Sequence, residues 1–377
     1  MKQLNMIIFF GGIMERYISV DAGKFSSKIA EYNKAKKSVR TFQIRTAVCE
    51  GDFRDDAIEE NTVVVKIGDK VYKVGNGASH RGKSADLDTN KQSEVHKICV
   101  LTALATLASA NEKDEINVAV ALPASDWASV QKREDFKAYI LPEGEITVEI
   151  KKDSKSPVVK KTFVIKNKYA FAESFGALAQ DGVLETLSPT SIIGVLDIGN
   201  LNLNATLWQG KEPLLDKSAT AELGGAMLIQ ELSQDISTEI VPCNELITAN
   251  ILKSDDRALP EGPKVSPEMV EASRKLIKKA LRDHAQKIKR VCRTKDWSLD
   301  VTRIVAIGGT SEDLRTELEE AFGNIVILPH AQYCNALGNL RLMCLKDEVL
   351  GELISISDTP KVVVEATPTR KEEKKAG

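Results

Sequence analysis

Two acidic residues stand where a carboxylate can hold a cation beside a phosphate. Asp21 follows the apolar run Tyr17-Ile18-Ser19-Val20 and precedes Ala22-Gly23-Lys24. Asp197 follows Ile193-Gly194-Val195-Leu196 and precedes Ile198-Gly199-Asn200. Glycine in such a turn lets backbone N–H groups close on an anion. Mg²⁺ prefers a few carboxylates and keeps much of its water shell. One Asp-x-Gly turn is common and, taken alone, reads more readily as an ordinary Asx turn. Two, each near the start of a half of the chain, predict a duplicated phosphate clamp around a metal-nucleotide, with Asp21 and Asp197 holding the metal through water.

A third stretch, Val301 to Asp313, reads as a buried strand, a Gly308-Gly309 turn and a helix. Thr310 and Asp313 have capping-box spacing, which predicts a helix N-terminus just after the glycines. Such a terminus offers unpaired N–H groups to an anion. In this order the three stretches resemble the actin/hexokinase/heat-shock-chaperone ATPase superfamily, over about residues 17–345. The turns at Asp21 and Asp197 match its phosphate loops, and Gly308-Gly309-Thr310 matches its adenosine motif. Phe171-Ala172-Glu173-Ser174-Phe175-Gly176 and Pro329 to Gly338 resemble the two connecting segments of ParM-type plasmid-segregation actins. By itself Glu173 also reads as an acidic residue suited to a helix start.

The resemblance implies an α/β, actin-like ATPase fold with two lobes around a nucleotide cleft. Lobe I is expected over 15–182, with a smaller subdomain at about 31–92. Lobe II is expected over 183–335, with an insertion at about 226–298, and the chain returns to lobe I over 336–358. A lead of residues 1–14 and a disordered tail of 359–377 flank them. Phosphate contacts would fall to Asp21, Gly23, Lys24, Lys28, Asp197, Gly199 and Asn200. Lys24 replaces the serine usual in actins. Adenosine contacts would fall to Gly224, Gly225, Lys275, Lys278, Gly308, Gly309 and Thr310. Glu173 would orient the water that attacks the γ-phosphate. Cofactors would be Mg²⁺ with ATP or GTP, and partners a second copy in a filament and a DNA-binding adaptor. A small-molecule kinase of the same superfamily is the competing enzyme reading, and a nucleotide-binding scaffold without turnover the non-enzymatic one.

Elements able to carry these residues are visible around them. Val63–Ile67 and Lys70–Val74 form a hairpin turned at Gly68. Ser93–Leu107 is helical, Ile116–Leu122 is a buried strand, and Ile146–Ile150 pairs with 161–165. Gly176–Leu187 reads as a helix, as does the stretch after Gly224-Gly225. Ser266-Pro267 predicts a long helix with serine as cap and proline at its first position. From Arg274 to Lys295 that helix holds ten Lys/Arg against one Asp. Its basic face is open to adenosine, filament, adaptor, DNA or solvent.

The 377 residues suffice for about two domains. A net charge of −2 gives no global field for nucleic acid or membrane. Six scattered cysteines without a C-x-x-C pair read as reduced thiols of a cytoplasmic protein rather than a zinc site. The apolar run Met6–Ile13 falls short of the ~20 residues that span a bilayer, so no membrane contact is expected. A signal peptide cleaved near Ala22 would destroy the first phosphate loop, and initiation at Met14 would leave a short lead. Gly77 to Ser84 satisfies the P-loop expression G-x-x-x-x-G-K-S. A P-loop needs a buried strand before it and a packing helix after it, whereas Ala85–Gln92 is too polar for that helix.

Overall fold

Apolar runs sort the chain into two sheets, each containing a strand that carries one of the two aspartates next to its last residue. The computed structural model describes residues 15–34, 38–54, 58–79, 83–84, 90–110, 113–180, 183–299, 302–349 and 363–364. Its contacts form two compact units, one from Met1–Val120, Glu134–Ala170 and Met343–Gly377, the other from Ala121–Arg133 and Phe171–Leu342.

In the first unit, Glu15–Ala22 pairs antiparallel with Ser26–Asn33, and Asp21 faces Lys28 in that register. On its other edge the same strand runs parallel to Lys113–Leu122. It is buried along most of its length, as a strand covered on both faces must be. Eleven described strands share this sheet. They include the expected hairpin Thr62–Ile67 and Lys70–Gly75, turned at Gly68 with φ 61°. The strand expected at 161–165 is longer, Val159–Ala172, and delivers the chain directly to Glu173.

The second unit repeats the plan. Ile192–Ile198 pairs antiparallel with Leu203–Gln209 and parallel with Arg303–Ile307. Glu212–Ala221 and Ile325–Ile327 complete its five strands. The helices Gly225–Glu239 and Pro267–Thr294 supply Leu232, Ile236, Ile277, Leu281 and Ile288 to the core beneath it. Each such fully buried side chain contributes ~1.5–3 kcal/mol. Ser266 caps the long helix by accepting from the Met269 N–H, as its sequence predicts. His284, on the same helix, is buried with Nε2 3.2 Å from the Leu223 carbonyl oxygen.

Several local expectations are corrected. The helix expected over 176–187 is one turn, Phe175–Leu178, followed by a 3₁₀ turn at Leu184–Thr186. Ala179 bonds back to Gly176 in a tightened i→i+3 pattern, and the Gln180 amide takes up the Gly176 and Cys334 carbonyls. The helix expected over Ser93–Leu107 is found at Glu94–Leu107, buried nearly all round. Within the P-loop expression, Gly77 lies in a 3₁₀ turn, and Lys83–Ser84 pair as a strand with Ala47–Val48 instead of opening a helix. The expected lead 1–14 lies outside the described residues. So does the expected tail, apart from Val363–Val364, which pair parallel with Arg40 and Thr41. Cys99, Cys292, Cys334 and Cys344 are buried, while Cys49 and Cys243 are half-buried. No helix among the described residues is long and apolar enough to cross a membrane.

Candidate functional site

The first unit presents a basic cluster around Asp21. The Gly23 N–H closes a tight turn onto the Asp21 carbonyl at 3.0 Å. A Cβ on Gly23 would stand 2.9 Å from the Ser26 carbonyl oxygen and 3.2 Å from Lys28 Nζ, so Lys28 reaches across the glycine. Lys91, which sequence reasoning missed, places Nζ 3.6 Å from Asp21 Oδ1, with both side chains over nine-tenths buried. His96, also buried, places Nδ1 2.9 Å from Ser93 Oγ. Burial first, then the Lys91 and Lys24 charges, push its pKa down to about 3, so the ring is neutral at physiological pH. Lys91 sits in a polar stretch with no periodicity. Its role emerges only when the chain returns to Asp21.

In the second unit three glycine turns, at Gly199, Gly224-Gly225 and Gly308-Gly309, come together beside Asp197. Asp197, near the end of its strand, leads into Gly199, whose N–H bonds the Asn202 carbonyl at 2.9 Å. The N–H groups of Gly225 and Ala226 bond the carbonyls of Gly199 and Asn200 at 3.0 and 2.7 Å. Thr310 Oγ1 donates to the Gly199 carbonyl at 2.9 Å. That contact corrects the expected capping box: the helix is Gly309–Asp313 with Gly308 as its cap residue and no side-chain cap bond.

Two of these glycines are dictated by space. Gly308 has φ 89°, and a Cβ there would lie 2.3 Å from the Ile198 carbonyl oxygen and 2.9 Å from Asp197 Oδ1. A Cβ on Gly224 would lie 2.4 Å from the Asn200 carbonyl oxygen. Gly199, Asn200, Gly224, Gly225, Gly308 and Thr310 are thus brought together beside Asp197. Gly309 adjoins them, with the nearest side chain that a Cβ would meet being Gln332. Lys275 and Lys278 lie on the exposed face of the long helix, Lys275 Nζ being 3.9 Å from Glu271. No hydrogen bond ties either lysine to the glycine cluster.

Glu173 is half-buried at the end of Val159–Ala172, its N–H bonded to the Leu122 carbonyl at 2.8 Å. The two connecting segments around it are in direct backbone contact. A Cβ on Gly176 would fall 2.7 Å from Asn335 Cα, and one on Gly338 would fall 1.9 Å from the Gly176 carbonyl oxygen. Arg341 Nη1 adds a bond to the Ala179 carbonyl at 3.1 Å. Gly338→Ala is therefore expected to destabilise the protein by about 2–4 kcal/mol, as overpacking against rigid backbone does. Chemical denaturation checks this, and an unchanged midpoint would show that the segments separate freely.

The donor set suits Mg²⁺. Among the described residues no three His, Cys, Asp or Glu side chains gather as a metal-binding group, whereas lone carboxylates at loop ends match an ion that keeps its water. A Cβ on residue 308 would stand 2.9 Å from Asp197 Oδ1, so the glycine there keeps a side chain off that oxygen.

Residues 19–176 match a family model described as "Actin like proteins N terminal domain". A search of curated proteins gave no match. Among solved structures, the Alp12 filament structure is 21% identical, over 89% of this chain and 99% of that one, with a TM-score of 0.66. An archaeal actin homologue, Ta0583, is 17% identical over 88% and 99%, with a TM-score of 0.71, and its complex with ADP also matches. A 15-stranded ParM filament from Clostridium botulinum is 17% identical over 88% and 100%, with a TM-score of 0.64. At these identities the shared property is the fold.

Proposed function

We propose that this chain, whose fold is actin-like and whose amino-terminal region matches the actin-like family, is an ATPase that polymerises with ATP-Mg²⁺ and segregates plasmid DNA through an adaptor. The observation that carries the reading is the meeting of the three glycine turns beside Asp197. A nucleotide needs a phosphate loop and an adenosine-binding turn on one rigid support, and hydrogen bonds from Gly225 and Thr310 to Gly199 provide it.

In this reading Asp21 and Asp197 hold Mg²⁺ through its waters, and Gly23, Lys24, Lys28, Gly199 and Asn200 face the phosphates. Bound Mg²⁺ supplies charge neutralisation at the phosphates. Glu173 accepts a hydrogen bond from the attacking water and aims it. Phosphoryl transfer asks for such positioning and for charge compensation rather than covalent help. Gly224, Gly225, Gly308, Gly309 and Thr310 line the adenosine, with Lys275 and Lys278 as outer contacts. GTP fits the same phosphate chemistry. The P-loop alternative lacks its helix at Lys83. The kinase alternative needs a further aspartate aimed at a substrate hydroxyl.

An open-ended head-to-tail contact grows filaments. Solved structures of the fold include filaments of Alp12 and of a ParM, which supports self-assembly here. Adding ATP-Mg²⁺ above a critical concentration is expected to give pelletable filaments whose light scattering decays as nucleotide is consumed. A chain that stays monomeric in sedimentation with every nucleotide, yet phosphorylates a small molecule, would instead be a kinase.

A further inference from the structure

Asn335 has no assigned part in the mechanism above, yet its side chain joins the two groups that part depends on. Its Nδ2 donates to Asp197 Oδ2 at 2.8 Å, and its Oδ1 accepts from the Ser174 N–H at 3.2 Å. The side chain is buried, and its partners are 138 and 161 residues away in sequence. We propose that Asn335 is a positioning residue for ATP hydrolysis, fixing the Glu173–Ser174 peptide to the carboxylate of Asp197. The proposal rests on the ATPase reading above.

Ser174 carries a left-handed backbone, φ 67°, which costs a non-glycine residue roughly 1 kcal/mol. Such strain persists only where surrounding contacts over-determine it. Here the contacts are the Asn335 acceptor on its N–H and the Trp208 Nε1 donor on its Oγ at 3.3 Å. Because the Ser174 N–H belongs to the peptide that follows Glu173, its bond to Asn335 fixes the backbone from which the Glu173 side chain departs. The preceding peptide is fixed independently, by the Glu173 N–H on the Leu122 carbonyl.

An amide suits the other end of the bridge as well. A lysine would neutralise Asp197, whereas a neutral amide orients the carboxylate and leaves its charge for a hydrated cation. Asn335 bonds one carboxylate oxygen, Oδ2, while Oδ1 lies beside the Gly308 backbone, where a side chain would stand 2.9 Å away. The segment cannot drift, because Gly176 and Gly338 hold the two backbones in contact. One side chain therefore sets both the metal-side carboxylate and the peptide that carries the water-orienting glutamate.

The test is a double-mutant cycle on the full chain, with Glu173→Ala, Asn335→Ala and the pair, reading ATP turnover and, by calorimetry, ATP-Mg²⁺ affinity. Asn335→Ala is expected to slow turnover at least ~10-fold, since small misplacements of a catalytic geometry have such effects, while affinity falls by no more than about threefold. The double variant is expected to be no more than about twofold slower than Glu173→Ala alone, because residues acting as a unit are not additive. Asn335→Asp keeps the size and the Ser174 acceptor but loses the donor to Asp197. It is expected to show the same loss of turnover, and it carries the cycle if the alanine variant unfolds on heating at a much lower temperature. Unchanged turnover in Asn335→Ala and Asn335→Asp, or losses that multiply in the double variant, would overturn the proposal alone. A wild type that binds ATP-Mg²⁺ but releases no phosphate would overturn the ATPase reading and this inference with it.

Discussion

Alanine at Asp21 or Asp197 is expected to abolish measurable ATP-Mg²⁺ binding, while Lys83→Ala leaves it within a few-fold. Each aspartate would hold the metal's waters by charge-assisted hydrogen bonds, individually ~1.5–3 kcal/mol. Losing two of them at one carboxylate weakens affinity on the order of 100-fold or more. At Asp21 the deletion also removes the carboxylate that lies 3.6 Å from the buried Lys91 Nζ. At Asp197 it strips the Asn335 amide of its acceptor. Lys83 lies in a short strand paired with Ala47–Val48 rather than at the start of a helix. Isothermal calorimetry with ATP-Mg²⁺ distinguishes the readings. If Lys83→Ala alone loses binding, the P-loop expression is the nucleotide site and the actin-like assignment of the aspartates fails.

Glu173→Ala should keep nucleotide affinity but hydrolyse ATP at least ~10-fold more slowly, the effect expected when a water-positioning group is lost and the phosphate clamp remains. Its N–H anchor to the Leu122 carbonyl is backbone and survives the substitution, so the segment should stay in place. Polymer formed by the variant should accordingly outlast that of the wild type, with scattering that rises normally and decays late. Phosphate release at the wild-type rate would remove Glu173 from the mechanism.

What could be read from the sequence was whatever local chemistry decides. The Asp-x-Gly turns announce themselves because strand and turn lie within eight residues. The Ser266-Pro267 start was legible because the cap and the first helical position are neighbours. The turn at Gly68 is likewise set by one residue with positive φ. Misreadings arose where a distant partner outbid a local one. Thr310 has the spacing of a capping residue, but its hydroxyl finds the Gly199 carbonyl 111 residues away. The run after Gly176 looks helical until Gln180 and the backbone of Asn335 claim its first turn. Lys91 and Asn335 were invisible as site residues for the same reason, since a polar residue in a short segment acquires meaning only from the carboxylate it meets. Convergence of Gly199, Gly225 and Thr310 was foreshadowed by the order of motifs, but the particular bonds that join them were not.

The uneven burial of the thiols gives the protein a built-in labelling pattern. Burial pushes Cys99, Cys292 and Cys344 up to about 12, so at neutral pH only roughly one thiol in 10⁵ is the nucleophilic thiolate. Cys334 is raised as well, by burial and then by the charges of Asp197 and Glu312. Maleimide chemistry is thereby steered to Cys49 and Cys243, which are half-buried. These two fall one in each compact unit. Without adding or removing a single cysteine, a donor and an acceptor fluorophore on this pair would report by energy transfer whether ATP-Mg²⁺ changes the distance between the two labels.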